Sequence, residues 1–161
     1  MKQKDAMHSG QGEPRFIVCE DGDEYVRRFT RFLSPRFAFS RANDYVTLCD
    51  LLGSDPTVTG LLFDLDFRRT PVERLVDELG GKALPATDEE RLHIAANQGI
   101  AMICALRHRG NQTPIILFAD LESDSQLEFL TRTLSPLQVA PSSLGLNELL
   151  VLLDRLAGSG S

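Results

Sequence analysis

Val58-Thr59-Gly60-Leu61-Leu62-Phe63-Asp64-Leu65-Asp66 is a short apolar run that ends on two aspartates. Three other stretches share its character: Phe16–Cys19, which runs into Glu20-Asp21, then Pro114–Phe118 and Leu137–Ala140. Phe37-Ala38-Phe39 is a weaker fifth. Between them lie segments with helical spacing. Tyr25, Val26, Phe29, Phe32 and Leu33 fall on one helix face. A second helix begins near Asn43, carries Val46, Leu48, Cys49, Leu51 and Leu52, and is expected to stop at Gly53. A last helix is expected over Leu146–Ala157. Short apolar strands joined by helices imply a parallel sheet covered on both faces. The expected fold is α/β: a doubly wound, five-stranded parallel sheet in the flavodoxin-like order 2-1-3-4-5.

One connection exceeds what a single crossover needs. Asp64 and Pro114 are 50 residues apart. This stretch predicts a helix over Pro71–Leu79, a Gly80-Gly81 break, a loop through Pro85 and a long helix capped by Asp88. Residues 71–87 are therefore an inserted segment between the third strand and the third helix. The stripe of the long helix is Leu92, Ala95, Ala96, Gly99, Met102, Ile103 and Leu106, and its second half is apolar nearly all round. Such a helix is normally covered on every side. Packing of Leu75, Val76, Leu79 or Leu84 over it is the expectation.

With 161 residues, 42% of them hydrophobic, the chain suits one buried core rather than two domains. Residues 1–14 read as a flexible tail, 15–157 as the domain, and 158–161 as a linker or cloning remnant. A net charge of −6 argues against nucleic acid as a partner. No run approaches a membrane span and no export leader is visible, so a cytoplasmic location is expected. Cys19, Cys49 and Cys104 are too scattered for a disulfide framework or a zinc site. His8, His93 and His108 lack metal spacing.

Ligands of doubly wound folds collect at the carboxyl ends of the strands. There the order places Glu20 and Asp21, after the first strand, beside Asp64 and Asp66, after the third. Two carboxylates 4 Å apart repel by about 4 kcal/mol at an effective dielectric of 20. A cluster of them calls for a cation, a base, a raised pKa or good hydration. Mg²⁺ is the natural candidate cation.

The motifs FIVCEDG, LLFDLDF and PIILFAD, with the run VAPSSLGLNELL, make residues 15–157 resemble the receiver domain (CheY-like) of bacterial response regulators. The resemblance implies a metal pair at Glu20 and Asp21 and a phosphoacceptor at Asp64, with Asp66 lending its backbone carbonyl to Mg²⁺. It also implies signalling partners, a histidine kinase or a downstream effector, and a face for effector or homodimer contact that would include Val151 and Leu152 on the last helix.

Two positions depart from the family pattern. Ala119 stands where a switch Thr or Ser is expected, and Ala140 or Ser142 where a Lys is expected. An aspartyl phosphate would thus lack its counter-charge, and the switch its hydroxyl handle. Arg68 and Arg69 read first as solvated loop arginines, and alternatively as side chains folded back over the cluster. Ser142 and Ser143 read as small turn residues. The expectation is an atypical pseudo-receiver, not an enzyme, that acts as a protein-interaction module without phosphorylation. The alternative is a working phosphoacceptor at Asp64. A more distant rival is a haloacid-dehalogenase-like phosphatase, from the Asp64-Leu65-Asp66 spacing, but that motif belongs to a first strand and here a full β-α-β-α precedes it.

Overall fold

The computed structural model describes residues 12–159. Five strands, β1 (Arg15–Cys19), β2 (Ala38–Ala42), β3 (Val58–Asp64), β4 (Ile115–Phe118) and β5 (Leu137–Ala140), form one sheet. The order is β2-β1-β3-β4-β5, as expected from the sequence, and every pairing is parallel. Around the sheet pack α1 (Glu24–Leu33), α2 (Tyr45–Ser54), α3 (Asp88–Ala96), α4 (Gln98–His108), α5 (Asp124–Thr133) and α6 (Leu146–Ser159). Of the tail expected over 1–14 and the linker expected over 158–161, residues 1–11 and 160–161 lie outside the described residues; Pro14 accepts a hydrogen bond from Ala38 N–H through its carbonyl.

Alternation along each strand sends side chains to opposite faces. Ile17, Cys19, Leu61, Phe63, Ile115 and Leu117 join one buried layer, under α2, α4, α5 and the inserted segment. Phe16, Val18, Leu62, Ile116 and Phe118 join the other, under α1 and α6. In the second layer Phe29 packs against Phe39 and Phe118, and Tyr25 stacks on Phe118 at 5.2 Å. Both layers require apolar residues at successive strand positions. That is why β3 and β4 read as continuous runs rather than as alternating ones.

The insertion departs from its expected form. In place of a helix over Pro71–Leu79 there is a single 3₁₀ turn, Val72–Arg74. The chain then doubles back through an antiparallel bridge between Val76 and Lys82. Two local features stop the helix. The Asp77 carboxylate accepts from the N–H groups of Leu79 and Gly81, and Gly80 takes a φ of 87° that favours glycine. A tertiary feature completes the arrangement: the buried Gln98 amide accepts from Val76 N–H at 2.8 Å and donates to Val76 C=O at 3.0 Å.

The long helix expected from Asp88 is broken at Asn97 into α3 and α4. The loop after β3 draws both helices onto itself. Phe67 N–H donates to Ala95 C=O and Gly99 N–H donates to Leu65 C=O, which interrupts the helical ladder. The N-cap is Thr87 rather than Asp88, with Glu90 N–H bonded to its hydroxyl. Leu75 and Val76 are buried against this helical pair, as expected, whereas Leu79 and Leu84 are exposed. Phe32, expected on one face with the other apolar residues of its helix, and Leu92, expected on the stripe of the long helix, are also exposed, as is Val46. Phe32 instead lies under the Arg31 guanidinium, 5.2 Å from its ring centroid. The second helix runs past Gly53 to Ser54, and the last helix past Ala157.

Candidate functional site

The carboxyl ends of β1 and β3 are neighbours in the sheet, so their acidic loops meet. The four acidic residues nevertheless have different surroundings. Glu20 is 1% exposed and turns toward α1, where one carboxylate oxygen accepts from Tyr25 N–H at 3.1 Å and the other from Val26 N–H at 2.8 Å. It thereby does the work of an N-cap, because the cap residue Asp23 makes no side-chain cap bond. Burial pushes the Glu20 pKa up, against the lowering effect of these two N–H groups.

Asp21 meets Arg69. The Arg69 main-chain N–H donates to one Asp21 oxygen at 2.8 Å, and its guanidinium reaches the other at 3.1 Å. The same guanidinium is held by both oxygens of Glu24, at 2.8 and 3.1 Å. The Arg69 contact brings Glu24 down to about 2. Of the two sequence readings of this arginine, the folded-back one is found. Arg68 stays local and pairs with Asp66 through Nε at 2.6 Å and main-chain N–H at 2.9 Å.

Asp64 is half-buried at the end of β3, and one of its oxygens accepts from Leu65 N–H at 2.8 Å. Burial first, and then the charges of Asp21 and Asp66, push its pKa up to about 6. Burial and the charges of Asp64, Glu20 and Asp120 raise Tyr25 to about 12, so its ring borders the same acidic cluster. Gly99, the second residue of α4, packs against the main chain at the end of β3 that carries Asp64: a Cβ there would stand 2.2 Å from the Asp64 carbonyl oxygen. Nothing local in the sequence marks Gly99 for that role.

On the opposite rim, Ala119 and Ala140 are both buried at the ends of β4 and β5, joined by a hydrogen bond from Ala119 N–H to Ala140 C=O. Neither brings a polar side-chain atom to the site. Ser142 is clasped by Asp120: its N–H donates to one carboxylate oxygen at 3.0 Å and its hydroxyl to the other. That clasp lowers the Asp120 pKa. Ser143 is exposed in the same turn. Val151 and Leu152 lie on α6, the first exposed and the second half-buried.

Mg²⁺ is held by carboxylate and water oxygens in near-octahedral geometry. Here both Glu20 oxygens face main-chain donors and both Asp21 oxygens face Arg69. Among the described residues no three His, Cys, Asp or Glu side chains converge as a metal-binding group. As arranged, the donor set does not fit the ion; the positive charge beside Asp21 comes from a guanidinium. No helix among the described residues is long and apolar enough to cross a membrane.

No protein-family model matches the sequence, and no curated protein matches it. Solved structures do match. The receiver domain of the Francisella response regulator 1452 superposes with a TM-score of 0.64 at 15% identity, covering 92% of this chain and 100% of that one. A sensor protein from Polaromonas sp. JS666 gives 0.60 at 18% identity, covering 92% and 98%. A two-component response regulator from Clostridium difficile gives 0.60 at 9% identity, covering 90% and 96%. At these identities the likeness is one of architecture, and the chain has the fold of a response-regulator receiver domain.

Proposed function

We propose that this receiver-fold chain is a pseudo-receiver, a signalling module that works by binding other proteins and does not depend on phosphoryl transfer. The observation that supports this reading most directly is Arg69 on Asp21, together with Glu20 turned away to α1. A phosphoryl group on Asp64 would need a cation and a fixed counter-charge nearby. The cation's carboxylates are engaged elsewhere, and the β5 end offers Ala140 and a Ser142 already clasped by Asp120. Ala119 has no hydroxyl with which to report a phosphoryl oxygen. The module's partners are signalling proteins, a kinase or an effector, or a second copy of this chain, and Val151 and Leu152 on α6 are the proposed contact.

Intact mass after incubation with Mg²⁺ and acetyl phosphate, beside an Asp64→Asn control, tests the reading. No phosphoryl adduct is expected, and Asp64→Asn should leave partner binding unchanged. An adduct on the parent that is absent from the control would overturn it. That result would instead support a phosphoacceptor, a reading favoured by the half-buried Asp64 carboxylate, which carries no arginine of its own. The surface is tested by changing Val151 and Leu152 together to Asp. Unchanged self-association and partner binding would remove this face from the proposal.

A further inference from the structure

On the face of the sheet covered by α2 and α4, three polar groups meet beside the inserted segment. Cys49 is half-buried in α2. The Arg109 guanidinium, just past the end of α4, donates to its Sγ at 2.9 Å. Tyr45, one turn before Cys49, is 6% exposed, and its hydroxyl is completely buried without a hydrogen-bond partner of good geometry. The polar groups acting on that hydroxyl are Arg109 and Cys49, so it is aimed into the same cluster. The Gly80 turn covers the ring: a Cβ there would stand 3.1 Å from it.

A buried hydroxyl left unpaired is a cost that folded proteins seldom carry without a reason. We propose that Cys49 is a redox modification site, oxidised by hydrogen peroxide or a related hydroperoxide to a sulfenic acid that Tyr45 and Arg109 hold. The thiolate sulfur attacks one peroxide oxygen, the O–O bond breaks as the S–O bond forms, and hydroxide leaves and takes a proton from water's pool. Sulfur loses two electrons and the peroxide gains them. Arg109 places a fixed positive charge and an N–H donor beside the reacting sulfur, 2.9 Å away, while the negative charge passes from sulfur to the departing oxygen. The new oxygen then gives the Tyr45 hydroxyl the acceptor it lacks. Cys104 is similarly half-buried but has no guanidinium on its sulfur, and Cys19 is fully buried, so both serve as internal references.

The experiment treats the full chain with hydrogen peroxide in the presence of a cyclic 1,3-dione that traps sulfenic acids, and locates the adducts by peptide mass mapping. Cys49 is expected to label about tenfold faster than Cys104. Arg109→Gln should slow Cys49 about tenfold and leave Cys104 unchanged, while Arg109→Lys restores part of the rate. Tyr45→Phe removes the unpaired hydroxyl and should shorten the sulfenic acid's lifetime, read by delaying addition of the trap. Labelling of Cys49 no faster than Cys104, or a Cys49 rate indifferent to Arg109→Gln, overturns the proposal. A sulfenic acid equally long-lived in Tyr45→Phe overturns the role of Tyr45.

Discussion

Arg69 and Asp21 are joined twice, by a main-chain N–H at 2.8 Å and by the guanidinium at 3.1 Å, across 48 residues of chain. The pair ties the loop after β1 to the loop after β3. It also supplies the positive charge that an acidic cluster at this end of the sheet requires. The native chain is therefore expected to show no Mg²⁺-dependent change in Tm at low millimolar ion, and Arg69→Ala to acquire one. Thermal unfolding with and without Mg²⁺ checks this. A parent already stabilised by the ion would show that Arg69 yields its place.

Glu20 caps α1 from outside the helix. Glu20→Ala should strip two main-chain N–H groups of their acceptors and cost about 1–2 kcal/mol. Glu20→Gln keeps one acceptor and should cost less. Urea unfolding of the two variants measures the difference, and equal stability of the parent and both variants would mean that water serves the helix end equally well.

Gln98 anchors the inserted segment. Its amide serves both main-chain groups of Val76, and the residue is 1% exposed. Gln98→Leu keeps the volume and abandons both partners, so a loss of roughly 2–4 kcal/mol is expected. Limited proteolysis should open first within residues 71–87. Cleavage elsewhere at the same rate would separate the insertion from Gln98.

Asp120 holds Ser142 with its charged form, and its pKa is lowered for that reason. A carboxylate depressed in the folded state contributes stability that is complete above the unfolded value and is lost as pH falls through the folded one. The clasp should therefore persist at neutral pH and open only at a pH below the ordinary aspartate value of ~3.9. Hydrogen exchange at Ser142 N–H reads it directly: protected at pH 7 in the parent and fast in Asp120→Ala. Equal exchange in the two proteins would show that the turn holds itself.

Much of the architecture is legible in the sequence. The short, largely apolar runs at Val58–Phe63 and Pro114–Phe118 fit strands covered on both faces, and the order of the sheet brings the acids at two strand ends together. The insertion was harder. Its residues at 71–79 have helical spacing, yet Asp77 and Gly80 turn the chain and Gln98 claims Val76, a contact between residues 22 apart. The long apolar stripe from Leu92 to Leu106 likewise concealed the break at Asn97, because the groups that interrupt its ladder belong to Leu65 and Phe67.

The sequence by itself determined the class of fold, the acidic loops and the absence of a hydroxyl or lysine at Ala119 and Ala140. These follow from residue identity and from periods of two and 3.6, which are local properties. Only the tertiary structure decided what each acid does. Glu20 and Asp21 are adjacent and chemically alike, yet one faces the helix dipole of α1 and the other an arginine 48 residues away. A carboxylate's direction is set by the donors that packing brings within about 3 Å, and those donors come from parts of the chain that no local pattern connects.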